Sequence, residues 1–166
     1  MKKYIIISAI FVASLIPTNS FTQSFIVGSN NSTKLDKTFQ KSSKSRELKL
    51  KKGSSYKIDL KLKNGRLYYI SVCGNKAFKN IQYQLKTETE KTEILYDNAA
   101  HEFDKYNTFR VKNDTTITLE IITQPALCFE CNTIKRDVNV LIAYKKINHY
   151  EDRKNIPDLL ALASNN

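Results

Sequence analysis

Between residues 56 and 63 the chain reads Tyr56-Lys57-Ile58-Asp59-Leu60-Lys61-Leu62-Lys63, four repeats of an apolar residue followed by a charged one. Side chains of a strand point alternately to opposite faces, so a period of two gathers Tyr56, Ile58, Leu60 and Leu62 on one side and the charges on the other. A helix would scatter both classes around its circumference. A strand inside a parallel sheet, covered on both faces, would be apolar throughout. The pattern therefore specifies an antiparallel strand with one dry and one wet face.

The same alternation starts at Glu47-Leu48-Lys49-Leu50-Lys51, and a second apolar run, Leu67-Tyr68-Tyr69-Ile70-Ser71-Val72-Cys73, follows Asn64-Gly65, the strongest short hairpin signal. A strict two-residue turn there would set Ile70 and Val72 beside Asp59 and Lys57. A three-residue loop over 64–66 instead pairs Leu62 with Tyr68, Leu60 with Ile70 and Ile58 with Val72, and because a one-residue slip reverses every side chain, this register is preferred. Further runs occur at Ile81, Tyr83 and Leu85, at Ile94-Leu95-Tyr96, at Phe109 and Val111, at Ile117, Leu119 and Ile121, and at Val138, Val140, Ile142 and Tyr144. Asn, Asp, Gly and Lys sit at the breaks, and no intervening stretch has a helical period. Such a series predicts an all-β fold, a single antiparallel β-sandwich of jelly-roll or immunoglobulin-like type with about seven or eight strands.

At 166 residues the chain has room for one domain with a real core. Its beginning has the order of a signal peptide: Lys2 and Lys3, an apolar run from Ile5 to Ile16, then polar residues after Pro17. That run is about a dozen residues, short of the roughly 20 that cross a bilayer as a helix. Small residues at Thr18, Ser20 and Thr22 allow a cut after Ser20 or after Thr22, and no cysteine stands near either site to take a lipid anchor. The division expected is a signal peptide over 1–22, a flexible polar leader over 23–45, the sandwich over 46–146, and a tail over 147–166 in which Ile156-Pro157-Asp158-Leu159-Leu160-Ala161-Leu162-Ala163 can form a short helix. No later segment is long and apolar enough to span a membrane. The compartment implied is the periplasm or outer surface of a Gram-negative envelope, or the medium.

The formal charge is +11, or +9 without Lys2 and Lys3. Residues 34–66 hold 12 Lys or Arg against Asp36, Glu47 and Asp59, whereas residues 67–166 hold 13 of each sign, so the whole excess lies in one contiguous stretch. Segregated charge of this kind favours an anionic partner such as a phosphate-bearing surface polysaccharide, lipid headgroups or nucleic acid, and the partner expected is an anionic polysaccharide or an envelope protein. Lys49, Lys51, Lys52, Lys57, Lys61, Lys63 and Arg66 are the residues expected to make that contact, with no sequence-specific nucleic acid implied. The plainer reading is that lysines on exposed strand faces confer solubility and guard sheet edges.

Cys128-Phe129-Glu130-Cys131 is the sharpest motif. In a cytosolic chain with a helix following, it would read as a thiol oxidoreductase, but here it follows Pro125 between strands. Zinc would need Cys73, Cys128, Cys131 and either His101 or His149, at spacings that match no finger. In an oxidising envelope a structural disulfide is the expectation. Cys128 with Cys131 would clip a tight loop; Cys73 with either is favoured, because a longer closed loop restrains the unfolded chain more. Asp97, Glu102 and Asp104 cluster oxygen ligands as a calcium site needs, but without EF-hand spacing or glycine. Two histidines, no Gly-x-Ser-x-Gly and no glycine-rich phosphate loop give nucleophilic and phosphoryl chemistry no anchor, and no acid stands in an apolar setting that would raise its pKa. No enzyme activity and no cofactor are expected. Tyr56, Tyr68, Tyr83 and Tyr144 fall on the apolar face and are expected in the core rather than as sugar-binding platforms.

Lys52-Gly53-Ser54-Ser55-Tyr56 entering a strand, Arg66-Leu67-Tyr68-Tyr69-Ile70, Ile94-Leu95-Tyr96-Asp97-Asn98, and Cys131 shortly before Val138-Asn139-Val140-Leu141-Ile142 together resemble small secreted β-sandwich domains of Bacteroidota-type bacteria, related in outline to the pre-peptidase C-terminal domain. The resemblance covers residues 48–146 and implies a sandwich in an exported, accessory protein. The larger enzymes that carry such domains have no counterpart in this sequence.

Overall fold

Alternating residues become strands where one face can be buried, and this chain buries them between two antiparallel sheets. The computed structural model describes residues 35–87, 92–128, 130–147 and Leu159. Among these the strands are Gln40–Lys41 (β1), Arg46–Leu50 (β2), Ser55–Leu62 (β3), Arg66–Gly74 (β4), Ile81–Thr87 (β5), Ile94–Asp97 (β6), Tyr106–Arg110 (β7), Thr115–Thr123 (β8) and Arg136–Lys146 (β9). The first sheet runs β1-β9-β4-β7, with β2 pairing β9 alongside β1, and the second runs β3-β8-β5-β6. From β2 onward every connection passes from one sheet to the other except β5 to β6.

The dry faces meet in one core. Leu48, Leu50, Tyr68, Ile70, Val72, Phe109, Val138, Val140 and Ile142 of the first sheet pack with Ile58, Leu60, Leu62, Tyr83, Leu85, Leu95, Ile117, Leu119 and Ile121 of the second. Tyr68 and Tyr83 are buried, and Tyr56 and Tyr144 pack against the same cluster, as their place in the alternation predicts. Burying these aliphatic and aromatic side chains, each roughly 1.5–3 kcal/mol relative to exposure, is the main favourable term. The β-sandwich expectation holds at this level.

The Asn64-Gly65 turn forms, but it does not make a hairpin. Gly65 takes φ +72°, a left-handed conformation that suits glycine, and Asn64 Oδ1 accepts from its N–H at 2.6 Å. The chain then changes sheet: β3 pairs β8, placing Leu60 opposite Ile117, while β4 lies between β9 and β7, placing Tyr68 opposite Tyr144 and Phe109. The expected partners Leu62 and Tyr68 belong to opposite sheets. The cause is visible in burial. β3 has one dry face and settles at an edge, whereas residues 67–72 of β4 are buried on both faces and need a strand on each side. The Tyr68 hydroxyl, bonded to the Lys63 backbone, ties the arch together.

Pairing also begins upstream of residue 46. β1 pairs with Tyr144 and Ala143, and the Ser45 hydroxyl donates to Ile142 O and accepts from Ile142 N (2.8 and 2.9 Å), bridging the break between β1 and β2. Leu35 and Phe39 cover Tyr69, Leu141 and Ala143 on the outer face of the first sheet. That face carries apolar residues and recruits the nearest apolar segment. Leu159 is buried in the main core. The rest of the expected helical tail, the signal segment over 1–22 and residues 23–34 lie outside the described residues. Among the described residues, no helix is long and apolar enough to cross a membrane.

Candidate functional site

The seven basic residues marked by charge divide into two groups. Lys49 Nζ stands 3.6 Å from Asp137 across the β2–β9 pair, and the Arg66 guanidinium lies 4.3 Å from the Tyr144 ring centroid, so both are engaged within the fold. Lys51, Lys52, Lys57, Lys61 and Lys63 form no ion pair among the described residues. They occupy the turn leading into β3, the outward face of β3, and the residue after it. β3 is an edge strand of eight residues, so the series follows a line of about 26 Å at 3.3 Å per residue.

The acids near this line are committed elsewhere. Glu120, directly opposite Lys57 on β8, binds Lys86 Nζ at 2.6 Å with both side chains largely buried. Asp59, between Lys57 and Lys61, accepts from the Thr118 hydroxyl at 3.4 Å, and Asp114 near Lys63 accepts from Asn64 N at 2.8 Å. The lysines thus present positive charge to solvent along a strand that, among the described residues, pairs on one side only, with β8. The same arrangement discourages strand addition by another chain.

One end of this line meets the motif Cys128 to Cys131. The turn carrying Lys51 and Lys52 is clamped onto Thr123, whose hydroxyl donates toward Lys51 O and Ser54 O (2.6 and 2.9 Å) and accepts from Ser54 N at 3.1 Å. Gly53 packs against Pro125, with a Cβ there 3.4 Å from the proline's own. Beyond Pro125 the Asn132 side chain closes the loop: its Oδ1 accepts from Ala126 N at 2.8 Å and its Nδ2 donates to Ala126 O at 3.0 Å. Within the closed loop Cys128 is exposed and Cys131 half-buried.

The expected disulfide is absent: all three cysteines carry free thiols. Cys73 stands near the end of β4, on the face opposite Val72, with its Sγ 3.5 Å from Ser71 Oγ. The pairing of β4 with β9 fixes it in the sheet opposite Asn139, so it does not join the loop cysteines. The neighbouring Cys131 thiol and the backbone N–H groups of the turn, with a smaller contribution from Lys52, hold the Cys128 thiol below the usual thiol range, while Cys128 beside it pushes Cys131 up.

The acidic loop is organised for structure. Asp97 accepts from Gln82 and Gln84 and from Ala99 N (2.6 to 3.1 Å), capping the 3-10 turn Asn98–His101. Glu102 and Asp104 are exposed, and Glu102 follows the turn in a left-handed conformation. Among the described residues no three His, Cys, Asp or Glu side chains gather as a cation would need. Sequence reasoning missed two features here: the clamp that brings Lys52 to the cysteine loop, and the Asn132 closure. Neither has a sequence signal, since both join residues far apart or use an ordinary Asn. Comparison with models of known protein families gives no match, and no curated protein matches the chain.

Proposed function

We propose that the chain is exported by its N-terminal segment, cleaved near residue 22, and works without enzymatic activity as a binding module of the cell envelope. Its sandwich is of the jelly-roll kind, a reading supported by connections that, from β2 onward, cross between sheets at every step except β5 to β6. Its ligand is an anionic surface polymer lying along β3. The observation that carries this reading is the set of five lysines, Lys51, Lys52, Lys57, Lys61 and Lys63, that along one exposed edge have no acidic partner among the described residues. A linear polyanion spans such a line, and each charge it meets releases condensed counterions.

The experiment is retention of the mature protein on immobilised heparin and on polyphosphate at low ionic strength. Wild type is retained and elutes with salt, and the double variant Lys57→Glu, Lys61→Glu elutes early. A protein that passes unretained at low salt refutes the reading. A second reading, as a subunit of an envelope assembly, rests on Leu127 and Ile134, both exposed apolar residues in the β8–β9 loop. It requires co-purification with a partner from native envelopes, lost in Leu127→Ser.

A further inference from the structure

Arg46 is not among the seven basic residues that charge marks, yet the fold holds its charged group in place. It opens β2 on the same face as Leu48 and Leu50, which point into the core, and its side chain crosses from the first sheet to the second. There Nη1 donates to the Tyr56 hydroxyl at 3.2 Å, while Nε donates to Lys44 O at 3.1 Å. The backbone beneath is held as well: Arg46 pairs with Val140, and the Ser45 hydroxyl bridges to Ile142. Root and tip of the side chain are both anchored, although the residue is exposed. These bonds leave both N–H groups of Nη2 and one of Nη1 with no acceptor among the described residues. Nor does an acid neutralise the charge there. Arg46 forms no ion pair among the described residues, Glu47 beside it projects from the opposite face of β2, and Asp137 is engaged by Lys49.

We propose that Arg46 is the fixed, directional contact of the polymer site, taking one phosphate group of a polyphosphate or phosphodiester chain through its free N–H groups. This inference rests on the reading of β3 as the polymer edge and names the chemical group that the edge selects. A guanidinium presents its N–H groups in one plane and meets two oxygens of one phosphate at once, whereas a lysine ammonium on a flexible stem senses charge alone. The lysines therefore supply attraction, and Arg46 sets where one phosphate of the chain sits. Tyr56 links the two: it stands immediately before Lys57 on β3, so a phosphate held by Arg46 lies at the margin of the strand that carries Lys57 and Lys61. Because Tyr56 and Lys44 already brace the guanidinium, little side-chain freedom is lost on binding, and the contact contributes affinity that a mobile residue forfeits.

The test is the salt dependence of polyphosphate binding to the mature protein, followed by fluorescence anisotropy of a labelled chain. Arg46→Gln should weaken binding roughly tenfold at fixed salt, the loss of one charge-assisted contact, and flatten the slope of log K against log salt by about 0.7, in addition to what the lysines contribute. Tyr56→Phe keeps every charge and removes only the brace, so it should weaken binding several-fold with the slope unchanged. Arg46→Lys should likewise keep the slope without recovering the affinity. A role confined to bridging the two sheets would lower the melting temperature of Arg46→Gln and Tyr56→Phe and leave binding alone. The proposal is overturned if Arg46→Gln or Arg46→Lys binds as tightly as wild type while Lys57→Gln with Lys61→Gln binds more weakly, a result that leaves the lysine edge standing. Wild type that fails to bind polyphosphate overturns the lysine edge itself and this inference with it. If Arg46→Gln does not fold, Arg46→Lys and Tyr56→Phe decide the same question.

Discussion

Asn98 holds the second sheet together at a point where the backbone cannot. β5 and β6 pair up to Gln84 opposite Asp97, and one residue further the chain leaves the sheet into a 3-10 turn. The Asn98 side chain takes over the ladder. Its Oδ1 accepts from Tyr83 N at 2.7 Å and its Nδ2 donates to Ile81 O at 3.0 Å, as a strand residue would, with a further bond to Asp104 O at 3.1 Å. The residue is 1% exposed and Tyr83 is 0% exposed, so water cannot readily replace these bonds. In Asn98→Ala two buried backbone groups lose their partners at about 1–3 kcal/mol each, while the exposed Asp104 can find water, giving a total of about 3–4 kcal/mol. A domain of this size is stable by roughly 5–15 kcal/mol, so the loss should lower the melting temperature by on the order of 10 °C. The assay is thermal and urea unfolding followed by circular dichroism. Asn98→Asp refines it, because a carboxylate keeps the acceptor for Tyr83 N but sets negative oxygen against Ile81 O. Burial and that carbonyl raise the introduced carboxyl's folded pKa above its unfolded value. The protonated form, which restores the donor, dominates below the unfolded pKa, and its benefit is lost as pH rises through the folded pKa. The Asn98→Asp deficit should therefore shrink in acid. A cost below about 1 kcal/mol for Asn98→Ala would refute the ladder argument.

Three further outcomes follow from the fold. Leu119→Ala, fully buried in the middle of β8, should destabilise by about 2–5 kcal/mol, whereas Ile94→Ala, at a site 42% exposed, should stay within about 0.5 kcal/mol by urea unfolding. Gly65→Ala meets no atom within 4 Å but must hold φ +72°, so it should cost about 1–2 kcal/mol, and Gly65→Asn should recover part of that. The Thr38 backbone N–H, then the Thr38 side chain and Lys145, holds the Asp36 carboxyl below its ordinary 3.8. This contribution is present above the unfolded pKa and disappears as pH falls through the lower folded value. Acid should thus release Leu35 and Phe39 from Tyr69 and speed proteolysis near residue 38. Protection that persists once Asp36 is protonated would contradict the docking.

What the sequence reveals depends on how many faces a strand buries. β3, with one wet face, announces its strand type and its apolar set residue by residue, and the two-sheet core follows from the same alternation. β4 and β9 bury residues on both faces, so their partners are not encoded by period, and the nearby Asn64-Gly65 turn favours a hairpin that the fold replaces with an arch. Asn98 reads locally as a turn residue. Its role as a backbone substitute depends on β5, which lies 15 residues away in sequence at Tyr83. The charged stretch is plain in composition, yet only pairing across strands separates Lys49 and Arg66, held by Asp137 and Tyr144, from the five lysines left facing solvent. The cysteines show the same limit: spacing identifies Cys128 and Cys131 as neighbours, while the distance of Cys73 from them is set by the pairing of β4 with β9.

The salt dependence of polyphosphate binding tests the lysine edge most directly. For a flexible polyanion, five engaged lysines give a slope of log K against log salt of about −3.5, at about 0.7 per contact. Replacing two of them, as Lys57→Gln with Lys61→Gln, should flatten that slope by about 1.4, while Lys49→Gln, already paired with Asp137, changes it little. A slope that does not respond to the β3 lysines would mean that whatever this protein holds, it does not hold it there.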